Sequence, residues 1–543
     1  MLLLALGVIA AAPAQASDKQ DFETCDGHIH PGKQADGMRA ASTAPRFGSF
    51  TGGHNSSVEA CTRALASPRL RPTQTLRRAH LLRARAVAHL QADNAVQALK
   101  DLDLAQAALG GAADEPFLKR SMGVSITLLR GLAMAKAGDL AGAVPLARAA
   151  AAARPYSLQV QQVAAHILQL ARPDGDISPS PWALVARLDP DTASVALAKE
   201  AEIGNFAGVV AMRPAISADW PTEPLAPLAL AARDPAALRL MSAMIVSLHT
   251  AYARAATGDV AGARRDLAEA RAGVAATRPI ANGGTEAMPV ARTNAATLST
   301  SLDRYVDTRA RQIEARIAVA EKRPSDAIAT LVAAPMPHDS ATLDLLRSLK
   351  AAMPTEHAGL VPDLALFHKG STNDRLASLT ATIPAALIAP ETPRAVIDYA
   401  RARPNILGAL VGAAVSMGTS LLGGISRTDG FRSTDNPDGT IKVEFIGNTP
   451  SAAVVQEMTL LRAAEVARAA GKPRFVITGR KEYVRALVRT QYGAQISSTP
   501  NGFKTELTIR PVDAGAEPVR AFDATAIIDA LGPLYYEETA KSA

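Results

Sequence analysis

The sequence predicts a mainly helical protein that ends in a small α/β unit, and three observations carry this prediction. The 543 residues are 48% hydrophobic but only 4% aromatic, and an apolar content made of Ala, Leu and Val favours closely packed helices over sheets. A pattern of small residues recurs between positions 56 and 355. After position 439 the hydrophobic period changes to two, which is typical of strands.

The charge balance argues against a nucleic-acid-binding protein. Lys and Arg number 58 against 51 Asp and Glu, a formal net charge of +7 spread over the whole chain. Nucleic-acid binders concentrate basic residues on one face. We therefore expect no nucleic-acid partner, and the length allows several structural units.

The first sixteen residues predict a secretory signal peptide. They carry no charge, run apolar from Leu2 to Ala12 and end in Ala14-Gln15-Ala16, which fits an apolar core followed by a small-residue cleavage site. Cleavage would leave Ser17 as the first residue of a periplasmic protein. The alternative is a buried N-terminal helix.

Cys25 and Cys61 are the two cysteines of the chain. An even number of cysteines in an exported protein predicts a disulfide, here Cys25–Cys61, that pins an irregular leader over residues 17–55. The alternative is a pair of unpaired buried thiols. The segment C-D-G-H-I-H-P-G, with A-C-T-R-A-L further on, resembles the start of many exported repeat proteins of Gram-negative bacteria.

The repeat is clearest around Gly138-Asp139. Gly131, Ala143 and Ala150 lie where the two antiparallel helices of a unit touch, and Pro155 closes the unit. This pattern resembles the tetratricopeptide repeat, although the consensus Trp is absent and the units are spaced irregularly. Further copies contain Ala86, Ala98, Leu102 and Ala105; Ala251, Ala263, Leu267 and Ala270; and Ala315, Ala327, Leu331 and Ala334. The resemblance implies an irregular α-solenoid, which we place at residues 56–400.

Residues 401–438 form a Gly/Ala-rich apolar segment and a turn-rich linker. Ile406–Ile425 is uncharged for twenty residues and contains a G-x-x-x-G pair, which matches the length of a membrane span. Five glycines and three hydroxyl residues dilute its apolarity. The alternatives are a membrane span and a buried or docked glycine-rich segment.

Residues 439–543 predict a β-α-β unit with an added hairpin. A strand over Ile441–Phe445 precedes a helix that Thr449 caps, and Arg474–Thr478 is a second strand. Pro500-Asn501-Gly502 predicts the turn of the hairpin, and Asp523–Leu531 a last helix.

A second resemblance covers about forty residues of this C-terminal part. The stretches V-E-F-I-G-N, L-R-A-A-E and F-V-I resemble a small α/β domain of alphaproteobacterial envelope lipoproteins. The lipidated cysteine of that family is absent, so a membrane anchor is not carried over. The resemblance implies an address in the cell envelope and no activity.

The chain offers little catalytic chemistry. Asp26, His28 and His30 form a D-x-H-x-H string that opens the metal site of amidohydrolase barrels, but no strand precedes it and a helical array cannot supply the other ligands. His54 is a further histidine nearby. We expect no catalytic residues, no metal and no cofactor.

The resemblance to tetratricopeptide arrays implies that the first helix of each pair faces ligands in a groove. None of the side chains that map to these inward positions is acidic, and arginines suit an acidic or carboxylate-terminated peptide. The alternative is a set of solvated side chains. The candidate groove residues are His80, Arg83, Gln91, Lys136, Tyr252, Arg309, Gln312 and Arg316.

These observations predict an exported, non-enzymatic scaffold or adaptor that binds an envelope protein or peptide. One rival is a membrane-integrated scaffold that spans the bilayer at 406–425. The other is an enzyme acting on envelope polymers, with its site in the C-terminal unit.

Overall fold

The computed structural model describes residues 17–28, 31–33, 36–38, 57–170, 181–216, 219–226, 234–277, 289–402, 430–447, 451–491 and 494–536. It is 68% helix, with a small antiparallel sheet in the C-terminal region. The predicted signal peptide, His30, His54 and the apolar segment 406–425 lie outside the described residues.

The first part of the chain is helical. Its helices are α1 (Asp18–Asp26), α2 (Val58–Ala66), α3 (Thr75–Gln91), α4 (Ala95–Leu109), α5 (Pro116–Leu118), α6 (Val124–Lys136), α7 (Leu140–Ala153), α8 (Leu158–Leu170), α9 (Pro181–Leu188), α10 (Ala193–Glu202) and α11 (Phe206–Met212). The leader is therefore not wholly irregular, because Ser17 caps α1 by accepting a hydrogen bond from the backbone N–H of Gln20.

The second part continues with α12 (Pro235–Ala256), α13 (Val260–Thr277), α14 (Pro289–Ala320), α15 (Pro324–Val332), α16 (Ser340–Ala352), α17 (Leu364–Thr382) and α18 (Arg394–Ala402). Of the helices in the described ranges, α12 is long and apolar enough to cross a membrane. In the structure it lies in a core, with 61% of its most apolar window buried.

Five pairs of consecutive helices in the described ranges are joined by turns of one design. The middle residue of each turn has positive φ, which Gly adopts at least cost; the residues are Asp93, Gly138, Gly204, Gly258 and Lys322. The next residue then caps the following helix in four of these described turns, through Asn94, Asp139, Asn205 and Asp259. The paired helices α3/α4, α6/α7, α10/α11, α12/α13 and α14/α15 contact each other.

The small residues of the repeat lie at these helix contacts. Ala143 and Ala150 are buried, and a Cβ built on Gly131 would lie 3.3 Å from Ile167 Cδ1 of α8 and 3.6 Å from the carbonyl oxygen of Ala143. The equivalent alanines of the other copies are also buried, except Ala334, which is half-buried. Helices can approach this closely only where side chains are small.

Enlarging Gly131 should therefore destabilise the protein. We expect Gly131→Val to lower the free energy of unfolding by about 1–3 kcal/mol, because the new methyl groups overpack the contact of α6 with α7 and α8. Urea denaturation followed by circular dichroism measures the change. Gly111→Val is the matched control, since a Cβ there meets nothing within 4 Å; equal losses in both variants would contradict the close contact.

The buried apolar side chains of the described residues form large clusters. The N-terminal core joins α1–α8 with Leu379–Ile388, and the central core joins α12–α16 with the start of α17. The middle core is mixed, because α9–α11 and Tyr399 of α18 share it with the C-terminal unit. The C-terminal unit is thus packed into the helical part rather than tethered beside it.

The C-terminal unit contains β1 (Gly430–Asp435), β2 (Ile441–Gly447), α19 (Ala452–Ala469), β3 (Arg474–Gln491), β4 (Ala494–Val512), β5 (Phe522–Asp523) and α20 (Ala524–Tyr535). Among the described residues the strand order is β1-β2-β4-β3-β5, with every neighbouring pair antiparallel. β2 and β3 are consequently parallel, and β4 is inserted between them. The predicted β-α-β unit is present in this split form.

Three details of the C-terminal prediction are wrong. The N-cap of α19 is Ser451, which accepts a hydrogen bond from the backbone N–H of Val454, and not Thr449 as predicted. Residues 430–435, expected in a linker, form β1, because Phe431 packs its ring 4.5 Å from that of Phe445. The predicted turn at 500–502 lies inside β4, where Pro500 is paired with Ala486. The hairpin consists of β3 and β4 and extends to the pair Gln491↔Ala494. Pairing resumes on both sides of 501–502, from Val484↔Phe503 to Ala486↔Pro500, so the local turn signal produces a shift in register and the neighbouring strand prevents a chain reversal.

The predicted disulfide is confirmed. Cys25 of α1 is bonded to Cys61 of α2, and both residues are fully buried. The bond joins positions 36 apart and holds α1 against α2 and α3.

Candidate functional site

The predicted groove residues fall into two groups. His80, Arg83, Gln91 and Lys136 belong to α3 and α6, whereas Tyr252, Arg309, Gln312 and Arg316 belong to α12 and α14. All of these helices are the first members of their pairs. In both groups, side chains contact a part of the chain further on, between residues 339 and 391.

The second group holds the first turns of α16. The Tyr252 hydroxyl lies 2.7 Å from Asp344 Oδ2 and 2.7 Å from the carbonyl oxygen of Ala341. Arg316 Nε donates to the same Asp344 oxygen at 3.1 Å. Burial, followed by the negative charge of Asp344, raises the pKa of Tyr252 well above its ordinary value. The tyrosine therefore stays neutral and acts as a donor.

Arg309 and Gln312 hold the start of the same helix. Arg309 Nη1 donates to Asp339 Oδ2 at 2.6 Å, and Gln312 Nε2 donates to Asp339 Oδ1 and Thr342 Oγ1 at 2.9 Å each. Asp339 in turn caps α16 by accepting from the backbone N–H of Thr342. These side chains therefore position a helix of the same chain.

A cavity of about 30 Å³ lies beside this group. Its lining includes Phe206, His249, Arg309 and Ser340. Burial, followed by the charge of Arg309, lowers the pKa of His249 to about 3, so the imidazole is neutral. This volume has room for about two water molecules and not for an organic ligand.

The first group faces a second segment. Arg83 is fully buried, and its Nη1 donates to the carbonyl oxygen of Ile388 at 2.7 Å. Its Nε and Nη2 have no hydrogen-bond partner among the described residues, and burial lowers its pKa to about 9. Lys136 Nζ donates to Thr380 Oγ1 at 3.2 Å and pairs with Asp93. Gln91, at the end of α3, is half-buried.

We call residues Ile383–Glu391, of sequence I-P-A-A-L-I-A-P-E, the strap. It begins with a 3₁₀ turn at Ile383–Ala386, continues through a tight turn in which the Ile388 N–H donates to the Ala386 carbonyl oxygen at 3.1 Å, and ends in irregular chain. It contacts α3, α6 and α8. Its Ile383, Ala386, Leu387 and Ile388 are buried in the N-terminal core. Among the candidate groove residues, Arg83 contacts the strap, and Lys136 contacts Thr380 shortly before it.

Two serines that are not among the candidate groove residues also bind the strap. Ser125 Oγ donates to the carbonyl oxygen of Ala386 and accepts from the backbone N–H of Ile388 at 3.4 Å. Ser121 Oγ accepts from the backbone N–H of Glu391 at 3.1 Å. Their spacing of four residues along a helix was the available signal, because it places two hydroxyls on one face.

A buried ionic cluster lies where the strap ends. Arg154 Nε and Nη2 donate to the two carboxylate oxygens of Glu457 at 2.8 and 3.1 Å, and its Nη1 lies 2.9 Å from Glu391 Oε1. Arg120 Nη2 donates to Glu457 at 2.9 Å, and the Tyr535 hydroxyl does so at 2.7 Å. We call this set of side chains the latch. It joins the helical part, the strap and α19 of the C-terminal unit.

The charges of the latch balance, with two arginines facing two carboxylates. Burial alone would raise the pKa of Glu457, but Arg154 and Arg120 outweigh it and hold the pKa at about 2. Burial, joined by the charge of Glu457, raises the pKa of Glu391 in spite of Arg154. Ser451, the residue that caps α19, donates to Glu391 Oε1 at 2.8 Å. Both carboxylates are thus engaged in structural pairs.

His80 lies apart from the strap in a cluster beneath the disulfide. Its Nδ1 is 3.0 Å from Asp26 Oδ2, and Arg77 Nη2 donates to Asp26 Oδ1 at 2.9 Å. Burial lowers the pKa of His80 to about 3 despite the hydrogen bond, so a neutral ring donates to the ionised Asp26. Within the described ranges no group of three or more His, Cys, Asp or Glu side chains could hold a metal ion.

Comparisons with known proteins add no relative. No protein-family profile, no curated protein and no solved structure matches the chain.

Proposed function

We propose that the protein is an exported, non-enzymatic scaffold of the cell envelope that binds polypeptide partners on the inward faces of a tetratricopeptide-like solenoid. The observation that carries the proposal is the strap. Arg83, Ser121 and Ser125 hold a turn-forming stretch of polypeptide through its backbone. Surfaces that hold one segment in this way have the chemistry to hold another.

Two features support the solenoid part of the proposal. The helix pairs are joined by one kind of turn, and small residues occupy the equivalent contacts of each pair. Stacked units of this kind bury a continuous core and leave their first helices on a common side.

The strap also refines the chemistry expected of a partner. It is apolar over most of its length and ends in Glu391, whose carboxylate meets Arg154. A partner that presents an apolar, turn-forming segment with an acidic group at its end would make the same contacts. This keeps the acidic group expected from the arginine-rich faces and adds an apolar requirement.

Site-specific photocrosslinking tests the proposal in intact Gram-negative cells. A photoreactive phenylalanine at Gln91, on an inward position of α3, is expected to give a covalent adduct with a discrete partner. The same residue at Val96 of α4, whose side chain is 61% exposed, is the matched outward control. Equal adducts from both positions, or none from Gln91, would count against inward binding.

The same cells test the address. A periplasmic protein is released from the membrane fraction by alkaline carbonate, whereas a protein that spans the bilayer at 406–425 stays in the pellet. Recovery of the adduct in the cytoplasmic fraction would overturn the exported part of the proposal.

A further inference from the structure

We propose that the strap is an exchangeable, autoinhibitory occupant, and that a partner segment of the same chemistry displaces it and thereby loosens the C-terminal unit. This inference rests on the proposed function, because it concerns the same inward faces. It adds that the strap regulates partner binding, and that partner binding loosens the C-terminal unit.

The strap is held by contacts that another chain can reproduce. Its hydrogen bonds to Arg83 and Ser125 involve backbone atoms of Ala386 and Ile388 and so do not depend on their side chains. Selectivity comes from the buried apolar side chains and from the carboxylate three residues after Ile388. A partner is therefore recognised by an apolar stretch that can form the same turn and is followed by an acidic residue.

The strap is also an incomplete ligand. Arg83 is fully buried, yet of its guanidinium nitrogens only Nη1 donates to the strap, and Nε and Nη2 find no partner in the part of the chain that the structure describes. A buried donor without a partner is unfavourable, because it has lost its hydrogen bonds to water and gained none in return. An occupant that completes these hydrogen bonds would gain free energy relative to the strap.

The latch connects occupancy to the C-terminal unit. Glu391 leaves with the strap, and with it go one of the two carboxylates that contact Arg154 and one acceptor of Ser451 at the start of α19. Binding and release are then reciprocal: a partner that favours the displaced strap also favours a loosened α19, and an event that loosens α19 favours the partner.

The strap and a free peptide compete for the same site, and this competition determines the expected affinity of the peptide. A tethered segment acts at an effective concentration in the millimolar range. A free peptide therefore binds the intact protein far more weakly than it binds a protein whose strap has left the site. A single substitution that expels the strap should therefore reveal the tighter peptide binding.

The test uses the full chain and a fluorescent peptide with the sequence of residues 383–391. Ile388→Asp places a charge in the N-terminal core and should expel the strap, so fluorescence anisotropy is expected to give at least tenfold tighter peptide binding than in the wild type. Hydrogen exchange of residues 452–469 is expected to accelerate in the same variant. Leu366→Asp, at a position of α17 that is 65% exposed, is the matched control and should change neither quantity.

Glu391→Gln provides a second variant that leaves the apolar part of the strap intact. It should weaken the latch, speed exchange of residues 452–469 and tighten peptide binding, and it keeps the test decisive if Ile388→Asp does not fold. Tight binding without faster exchange would overturn the coupling to the C-terminal unit. Equal peptide binding by all proteins would overturn the exchange of the strap.

These failures are distinct from a failure of the proposed function. Suppose that the photoreactive residue at position 91 captures a partner, and that the wild type and Glu391→Gln bind this partner equally tightly. Scaffold binding is then supported and the autoinhibitory role of the strap is contradicted. If position 91 captures nothing and the peptide binds neither variant, both the proposed function and the role of the strap are contradicted.

Discussion

Replacing Glu457 by alanine is expected to lower the free energy of unfolding by about 3–5 kcal/mol, because the change leaves the buried guanidinium of Arg154 without its bidentate partner. Arg120 and Tyr535 lose the same acceptor. Urea denaturation at pH 7, followed by circular dichroism, measures the loss. Glu115→Ala, at an exposed position, is the control and should change stability by less than about 0.5 kcal/mol.

The effect should depend on pH in a defined direction. Because the folded-state pKa of Glu457 is lowered to about 2 from 4.5, its ionisation stabilises the folded protein fully above pH 4.5 and loses this effect as the pH falls towards 2. The stability difference between the wild type and Glu457→Ala should thus be smaller at pH 3 than at pH 7. A difference that grows on acidification would contradict the assigned ion pair.

Removing the disulfide is the other change with a large expected effect. Cys25→Ala combined with Cys61→Ala should lower the free energy of unfolding by about 4 kcal/mol, since closing a loop between positions 36 apart restricts the unfolded chain to about this extent. Thermal and urea denaturation of the double variant and the wild type give the difference.

A reductant provides the control for this variant. Both sulfur-bearing residues are fully buried, so dithiothreitol added to the folded wild type should change little, whereas wild type unfolded and refolded in dithiothreitol should match the double variant. A double variant as stable as the oxidised wild type would show that the bond contributes nothing to stability.

The features predicted correctly from the sequence are mostly local. The turn at Gly138-Asp139 needs a residue with positive φ followed by a cap, and both requirements can be read from adjacent letters. The helical period and the small contact residues act within one helix pair. The disulfide was also predictable, because two cysteines allow a single intramolecular pairing.

The features that were missed depend on contacts between distant positions. Phe431 lies in a short polar stretch that reads as a linker, and it becomes a strand residue because β2 and Tyr399 supply aromatic neighbours. Pro500 reads as a turn residue until β3 pairs with it. Secondary structure of this kind is set by the partner strand.

The candidate groove residues also have some features that are predictable from local sequence and others that depend on distant contacts. The repeat pattern predicts inward positions for Arg83 and Arg309, and in the structure each donates a hydrogen bond to a later part of the chain. Their partners, Ile388 and Asp339, follow in the same chain at separations of 305 and 30 residues, and nothing in the sequence around Arg83 indicates Ile388. The pattern selects these side chains without indicating which residues they contact.

The mixed middle core has a consequence for the order of folding. Helices α9–α11 leave the ribosome long before the sheet and α20 that complete their core. Arg120 is synthesised 337 residues before its hydrogen-bond partner Glu457. Early segments generally fold first during synthesis, and long-range contacts are slow to form. The N-terminal and central helix pairs can assemble early, whereas the middle core closes only after α20 has been made, so an apolar surface stays open in the nascent chain for most of its synthesis.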